Sequence, residues 1–343
     1  MLNILTNFFD SWKMLSWNKV NSNIFRLQKR IFKSVLVGDL KKCLQLQRML
    51  LLSNSARLLS IRFFSSGKVE ENSFTLNFLE RFELNNYLLN NVNNWKPDKL
   101  KKIFFPNRIG SSSFKYTFLV SDKCWQNLVQ IIIEPSFEAL VSPRNFGFRG
   151  YNSIYRLQKD LFSNLSKSSF GYQKRVFVFK LNSPLKVLNY NYLLKKIIVP
   201  RSIKIGIFRF LKSGFLLDYP YSNMDRNDLS SFLSSFIFFG FENFFDIFQF
   251  GFNFLIFLTP NMDEKNVIFR IKEYFSAIDI KYFIKDSKLF SSMDGFNFLD
   301  WHFKVYPDYS VICTPKMENY HFFLKRVKNI INNSNYGAVW FFI

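Results

Sequence analysis

The order of local patterns along the chain constrains its fold more than any other feature. After a helical N-terminal part, short strand-like runs alternate with helical ones from Trp95 onwards. Four apolar runs, rich in aromatic and β-branched residues, predict strands at residues 102–105, 176–181, 254–258 and 303–305. Three longer runs predict helices at residues 121–140, 151–165 and 262–278. Such a mixture predicts an α+β fold.

The N-terminal part is strongly basic. Residues 1–69 contain twelve lysines and arginines against two acidic residues. Apolar residues recur at helical spacing over residues 23–37, which predicts a helix there. Gly38 is expected to end it and Asp39 to cap a second helix. That second helix is predicted to continue towards Ile61.

Four basic residues share one face of the first predicted helix: Arg26, Lys29, Arg30 and Lys33. Their spacing brings like charges together, and each such pair costs a few tenths of a kcal/mol. A polyanion would relieve this repulsion, so we interpret the face as an RNA-binding surface. An ordinary solvated helix face is the alternative.

Bulk charge supports a polyanionic partner. The chain carries 47 Lys+Arg against 25 Asp+Glu, a formal net charge of +22. Small domains usually carry about 2–8, and basic excess of this size is typical of nucleic-acid binding. Cys43, Cys124 and Cys313 lie too far apart for a disulfide framework or a zinc site, and neither histidine lies beside a cysteine.

A membrane span is not expected. The most apolar stretch, residues 229–258, contains Glu242 and Asp246, and its uninterrupted apolar pieces are only about ten residues long. A buried helix and a buried strand would explain its phenylalanines equally well. Thr314 and Pro315 predict the start of a last helix, whose apolar stripe is interpreted as a packing surface.

Six short motifs resemble, in order, those of the group II intron maturase/reverse transcriptase family. They lie at residues 26–31, 105–107, 122–126, 133–138, 146–150 and 295–299. The resemblance implies reverse-transcriptase-like fingers and palm with an N-terminal helical segment and a truncated helical thumb. The expected boundaries are residues 1–67 for the basic helical segment, 68–312 for degenerate fingers and palm, and 313–343 for the truncated thumb and the start of the maturase domain.

The palm motifs depart from the family where its metal-binding aspartates belong. Lys180 ends the first palm strand, Lys186 follows where another aspartate is expected, and the catalytic turn contains Phe252 and Asn253. Mg²⁺ requires hard oxygen ligands, and a lysine repels it. We therefore predict no catalytic residue, no metal, no cofactor and no polymerase activity. An active polymerase with unusual ligands among Asp225, Asp228 and Asp246 is one alternative.

The resemblance implies an RNA-binding splicing factor that assists excision of organellar group II, or group II-derived, introns. The residues expected to contact RNA are Arg26, Lys29, Arg30, Lys33, Lys41, Lys42 and Arg149. The expected partner is intron RNA, together with another maturase or splicing factor, because little of the family's C-terminal maturase domain is recognisable. Plastid localisation is preferred, with the mitochondrion as the alternative. A decayed or membrane-associated product of such a gene is the remaining hypothesis.

Overall fold

A computed structural model describes residues 12–65, 76–99, 101–106, 112–146, 154–169, 171, 174–181, 190–212, 229–241, 247–259, 262–277 and 284–333. The described chain is α+β, as predicted. Its α-helices are α1 (Trp17–Leu36), α2 (Leu40–Leu51), α3 (Asn54–Ser65), α4 (Phe78–Asn91), α5 (Val120–Glu138), α6 (Ile154–Leu165), α7 (Tyr190–Lys196), α8 (Arg201–Lys212), α9 (Leu229–Ile237), α10 (Glu264–Ala277) and α11 (Met317–Asn333). Short 3₁₀ turns occur at Val92–Asn94 and Lys167–Ser169.

The strands form three antiparallel sheets. They are β1 (Lys101–Pro106), β2 (Ser112–Thr117), β3 (Arg175–Leu181), β4 (Ile247–Phe250), β5 (Asn253–Leu258), β6 (Ile284–Ser291), β7 (Phe296–Phe298), β8 (Trp301–Val305) and β9 (Val311–Pro315). β1 pairs with β2, the four-stranded sheet has the order β4-β5-β3-β6, and the third sheet has the order β7-β8-β9. All four predicted strands and all three predicted helices are confirmed, with small shifts at their ends.

Helices α1, α2 and α3 pack together against α5. Ile31, Leu50 and Ile61 are fully buried at this junction, where the removal of apolar surface from water stabilises the packing. Two glutamine side chains add directed contacts. Gln28 Nε2 donates to the carbonyl oxygen of Ile131 at 3.0 Å, and Gln47 Nε2 donates to that of Ile198 at 2.8 Å. Both apolar and polar contacts therefore hold α1 on α5, while Gln47 connects α2 to the segment that follows α7.

The second predicted helix is two helices, so its predicted continuation to Ile61 was wrong. The chain breaks after Leu51 and resumes helix at Asn54. The buried Arg57 side chain stabilises the break, since its Nη1 donates to the carbonyl oxygen of Leu52 at 2.8 Å. Periodicity continues across such a break, because two helices that pack on the same core keep their apolar residues on the same side.

The Phe-rich stretch is divided between a helix and a hairpin. The nine-residue α9 is followed by the antiparallel pair β4 and β5, and both parts are largely buried. Within the described ranges, no helix is both long and apolar enough to cross a membrane.

The last helix begins at Met317, two residues later than predicted. Thr314 and Pro315 belong to β9, where they lie opposite His302 and Trp301 of β8. The interpretation of the α11 stripe as a packing surface was wrong for the described part of the chain. Four of its side chains are 44–60% exposed: Tyr320, Phe323, Leu324 and Ile330.

Candidate nucleic-acid interface

Helix α1 separates its apolar and basic residues onto two faces. Ile24 and Ile31 are buried on the inner face. The outer face exposes the four predicted contacts Arg26, Lys29, Arg30 and Lys33. We call these four residues the basic face. The structure thus brings together the residues that the sequence spacing placed together, on a helix whose position is set by the core.

Acidic side chains lie near the basic face, at Glu134 and Glu138 of α5. No ion pair between the basic face and an acidic side chain is found among the described residues. Within the described structure, no direct ion pair therefore offsets the mutual repulsion anticipated from the spacing. An anionic partner that lies along α1 would gain from all four charges at once.

Lys41 and Lys42 follow after a tight turn. Gly38 adopts φ +81°, which L side chains rarely tolerate, and the chain reverses into α2. Asp39 caps α2 as predicted, because its Oδ1 accepts from the backbone N–H of Lys42 at 3.0 Å. Both lysine side chains are exposed on the first turn of α2. Arg149, the seventh predicted contact, lies outside the described residues.

Two other arginines of the basic block serve the fold instead. Arg57 is 4% exposed, and its Nε donates to Asn85 Oδ1 at 3.1 Å, which connects α3 to α4. Burial lowers the pKa of its guanidinium. Arg62 lies 4.2 Å from the ring centroid of Trp17, in cation–π contact. A charge count cannot separate these residues from the exposed ones, because burial depends on tertiary packing.

An open groove lies beside the basic face, and sequence reasoning missed it. Its volume is about 450 Å³, and it runs between α1 and the end of α5. Phe25 and Phe32 supply aromatic surface, while Lys29 and Lys33 of the basic face line it as well. We call it the aromatic groove. Its signal in the sequence is weak, because 46 phenylalanines in the chain make any single one uninformative.

The three positions at which the family resemblance places metal-binding aspartates meet at one end of the four-stranded sheet. Lys180 of β3 lies opposite Asn253 of β5, and the backbone N–H of Leu181 donates to the carbonyl oxygen of Phe252 at 3.0 Å. Gly251, with φ +60°, forms the turn that joins β4 to β5. On the other side of β3, the register partner of Lys180 is Asp286. Positions that are about 70 residues apart in the sequence are thus neighbours at this end of the sheet.

The side chains at this sheet end do not fit a magnesium site. Lys180 is exposed and cationic. The Phe252 ring packs against Phe238 at a centroid distance of 5.9 Å. Asn253 Nδ2 donates to the carbonyl oxygen of Phe250 at 3.3 Å. The residues described here include no group of three or more His, Cys, Asp or Glu that could hold a metal ion.

Known proteins resemble this chain at two levels. Residues 12–70 match a protein family described as the N-terminal domain of reverse transcriptase, the region that contains α1, α2 and α3. Maturase-like protein 1 of Euglena longa is 40% identical over 344 aligned positions, which cover 98% of this chain and 75% of the relative. Maturase-like protein 1 of Euglena gracilis is 41% identical over 333 positions, covering 94% and 72%.

Proposed function

The chain belongs to the group II intron maturase family, and we propose that it binds organellar intron RNA and assists its excision without polymerising nucleic acid. The single observation that carries the RNA contact is the exposed basic face on α1. It lies within the region that matches the N-terminal domain of reverse transcriptase.

Phosphate contacts explain how such a face works. Each lysine or arginine that neutralises a phosphate releases a condensed counterion, and this release drives binding at moderate salt. Folded RNA is recognised through its shape, its phosphates and its unstacked bases. Lys41 and Lys42 would extend the contact past the turn at Gly38. Arg149 is retained in the proposed interface on sequence grounds.

The absence of polymerase activity is supported by the chemistry at the end of the four-stranded sheet. Two-metal catalysis needs carboxylates that clamp Mg²⁺ between the attacking and leaving oxygens. Lys180 would repel the ion, and Phe252 offers no ligand atom. We infer that this end of the sheet keeps the shape of a polymerase palm without its reaction.

A reverse-transcriptase-like arrangement is also part of the proposal. We assign residues 68–312 to degenerate fingers and palm, with the four-stranded sheet as the palm, and residues 313–343 to the truncated thumb and the start of the maturase domain. The plastid is the preferred compartment, and another maturase or splicing factor is the preferred protein partner. The abundance of residues with A/T-rich codons, as in the 46 phenylalanines, supports an organellar gene.

Charge reversal of the basic face tests the RNA contact. Arg26, Lys29, Arg30 and Lys33 are all changed to Glu, and affinity for a group II intron transcript is measured by filter binding across a salt series. We expect binding to be lost at moderate salt. At low salt, the slope of log Kobs against log salt should become shallower by about 3, since four phosphate contacts are removed.

A matched control changes four exposed basic residues elsewhere, Lys265, Arg270, Lys272 and Lys288, to Glu. Each reversal changes the charge by −2, so both variants fall from +22 to +14. The control should keep most of the wild-type affinity. Equal losses in both variants would mean that net charge, and not α1, determines binding. Sequencing of RNA crosslinked to the tagged protein in its organelle should recover unspliced introns.

A further inference from the structure

The aromatic groove offers apolar surface beside the charges of the basic face. Its volume of about 450 Å³ lies within the usual range for small-ligand sites, about 300–1,000 Å³. Phe25 is 66% exposed although it is a large apolar side chain, whereas Phe32 is half-buried. The bond from Gln28 to the Ile131 carbonyl joins the two helices that form the groove walls. An open aromatic surface on a rigid support is available to a ligand.

The charged residues of the groove are separated by the sign of their charge. On the α1 side it is lined by Lys29 and Lys33, and on the α5 side by Glu134 and Glu138. The carboxylates make other contacts, but a carboxylate has about four acceptor sites, so further bonds are available. A ligand that fits this groove is therefore flat and apolar in the middle, anionic at one edge, and a hydrogen-bond donor at the other.

A nucleotide has this combination of properties. Its base can stack on an aromatic ring, its phosphate is anionic, and its base edge carries N–H donors. Guanine fits the acidic side best, because its N1–H and N2–H₂ are adjacent donors. Adenine and cytosine offer one amino group, and uracil presents an N–H between two carbonyl oxygens that a carboxylate would repel.

We propose that the aromatic groove holds one unstacked guanine of the bound RNA. Its ring stacks on Phe25, Lys29 and Lys33 contact the flanking phosphates, and Glu134 and Glu138 accept from its donor edge. This inference rests on the proposed RNA binding and adds base selectivity to it. The basic face then provides affinity for any RNA, and the groove selects a position in the sequence.

The test uses fluorescein-labelled RNAs of about eight nucleotides, within the usual site size of single-strand binders. One RNA is all uridine, and two others carry a single central guanosine or inosine. Fluorescence anisotropy with the full chain should show about tenfold tighter binding for guanosine than for uridine. Inosine lacks the N2 amino group and should fall between them.

Variants of the groove residues test whether the guanosine preference depends on the groove. Phe25→Ala should weaken guanosine binding about tenfold, in line with the worth of base–aromatic stacking, while Phe25→Trp should retain it. Glu138→Gln should reduce the ratio of guanosine to all-uridine affinity, even though the loss of a negative charge beside Lys29 and Lys33 strengthens binding of both RNAs. The control is Phe269→Ala on α10, since Phe269 is also 66% exposed but lies outside the groove. It should bind like the wild type.

The outcomes separate this inference from the proposed function. Tight RNA binding with no guanosine preference, unaffected by Phe25→Ala, would overturn the guanine site and leave RNA binding intact. It would assign the groove to an apolar segment of a partner protein. An equal loss for all three RNAs in Phe25→Ala would also overturn it. No binding of any RNA by the wild type would contradict both proposals.

Discussion

Single residues of one type have different roles here, according to what surrounds them. Arg26 and Arg57 belong to the same basic block, but Arg26 is exposed on α1 and Arg57 is 4% exposed. A buried guanidinium is stable only when its donors are satisfied, and Arg57 bonds to Asn85 and to the Leu52 carbonyl. We therefore assign Arg26 to the RNA contact and Arg57 to the packing of α3 on α4.

Asp122 is a residue whose ionisation opposes folding. It is 1% exposed, and burial raises its pKa to about 6. Hydrogen bonds partly counteract this effect. Trp95 Nε1 donates to Oδ1 at 2.9 Å, and the backbone N–H of Asp98 donates to Oδ2 at 3.2 Å. Trp95 in turn stacks on Trp125 at 5.6 Å, so Asp122 orients a central aromatic pair.

The pH dependence of stability should report this group. Because the folded chain binds the Asp122 proton more tightly than the unfolded chain, its stabilising contribution is complete below about pH 4. It is lost as the pH rises through 6, and amounts to roughly 3 kcal/mol at a full shift of this size. Asp122→Asn removes the titration.

Urea unfolding of both proteins between about pH 4 and pH 7 measures the effect. The wild type should lose stability relative to Asp122→Asn as the pH rises. The difference between the two curves is the relevant quantity, since the other titrating groups are common to both. If the free energy of unfolding varied with pH in the same way for both proteins, the pKa of Asp122 would not be raised by its burial.

At the scale of elements, helix ends and strand registers determine where the surfaces lie. Helix α4 begins with a complete capping box. Glu80 N–H donates to Asn77 Oδ1 at 2.9 Å, and Asn77 N–H donates to Glu80 Oε2 at 2.8 Å. Reciprocal bonds of this kind satisfy two backbone donors that the helix leaves open. Helix α4 follows a stretch outside the described residues, so the cap is its local start signal.

Asn77→Ala should therefore destabilise the protein by about 1 kcal/mol, the usual cost of a lost N-cap. The matched control is Asn86→Ala, at an exposed position inside the same helix, where alanine is the better helix former. That variant should be neutral or slightly more stable. Thermal unfolding of the two variants would distinguish them. Similar thermal unfolding midpoints for the two variants would mean that the capping box contributes nothing to the stability of the protein.

Helix α11 illustrates the limits of helical periodicity. Its stripe has the spacing of a packing face, but Tyr320, Phe323 and Ile330 remain exposed. The pattern records which residues share a side of the helix, and a separate surface must exist to cover them. The N-terminal helix α1 has the same kind of pattern and is covered by α5, so the prediction held there.

At the scale of the whole molecule, the residues at the end of the four-stranded sheet bear on whether the protein is an RNA-binding factor without polymerase activity or an active polymerase. We expect no templated extension of a primer by the purified chain with Mg²⁺ or Mn²⁺, because on our proposal Lys180 and Phe252 stand where two-metal catalysis needs carboxylate ligands. The readout is product length on a denaturing gel. RNA binding by the same preparation serves as the control for folding.

Extension in that assay would favour an active polymerase with unusual ligands. Its loss on changing Asp225, Asp228, Asp246 or Asp286 to Ala would then identify the acidic groups responsible. Retention in membranes after carbonate extraction would instead favour the membrane-associated hypothesis. We expect the protein in the extracted fraction, bound to RNA.

Much of the fold could be predicted because its local signals agree. β3 and β5 were recognised by their apolar content, and α1 by its periodicity, since these patterns express which side of an element avoids water. Residues 229–250, which precede β5, could not be divided in advance, because a buried helix and a buried strand are both apolar throughout. The helix break at Leu52 could not be predicted either, because the apolar periodicity continues across it.

The sequence by itself determined the basic face and the α+β class, and it is the basis of the proposal that the palm carboxylates are lost. These are properties of residue identity and short-range spacing, which the fold preserves. Only the tertiary structure decided that Arg57 is internal, that the α11 stripe is exposed, and that Phe25 and Phe32 border a groove with Glu134 on its far wall. Burial and surface shape depend on which elements pack together. Contacts between residues about 100 positions apart leave no local pattern in the sequence, so they cannot be predicted from it.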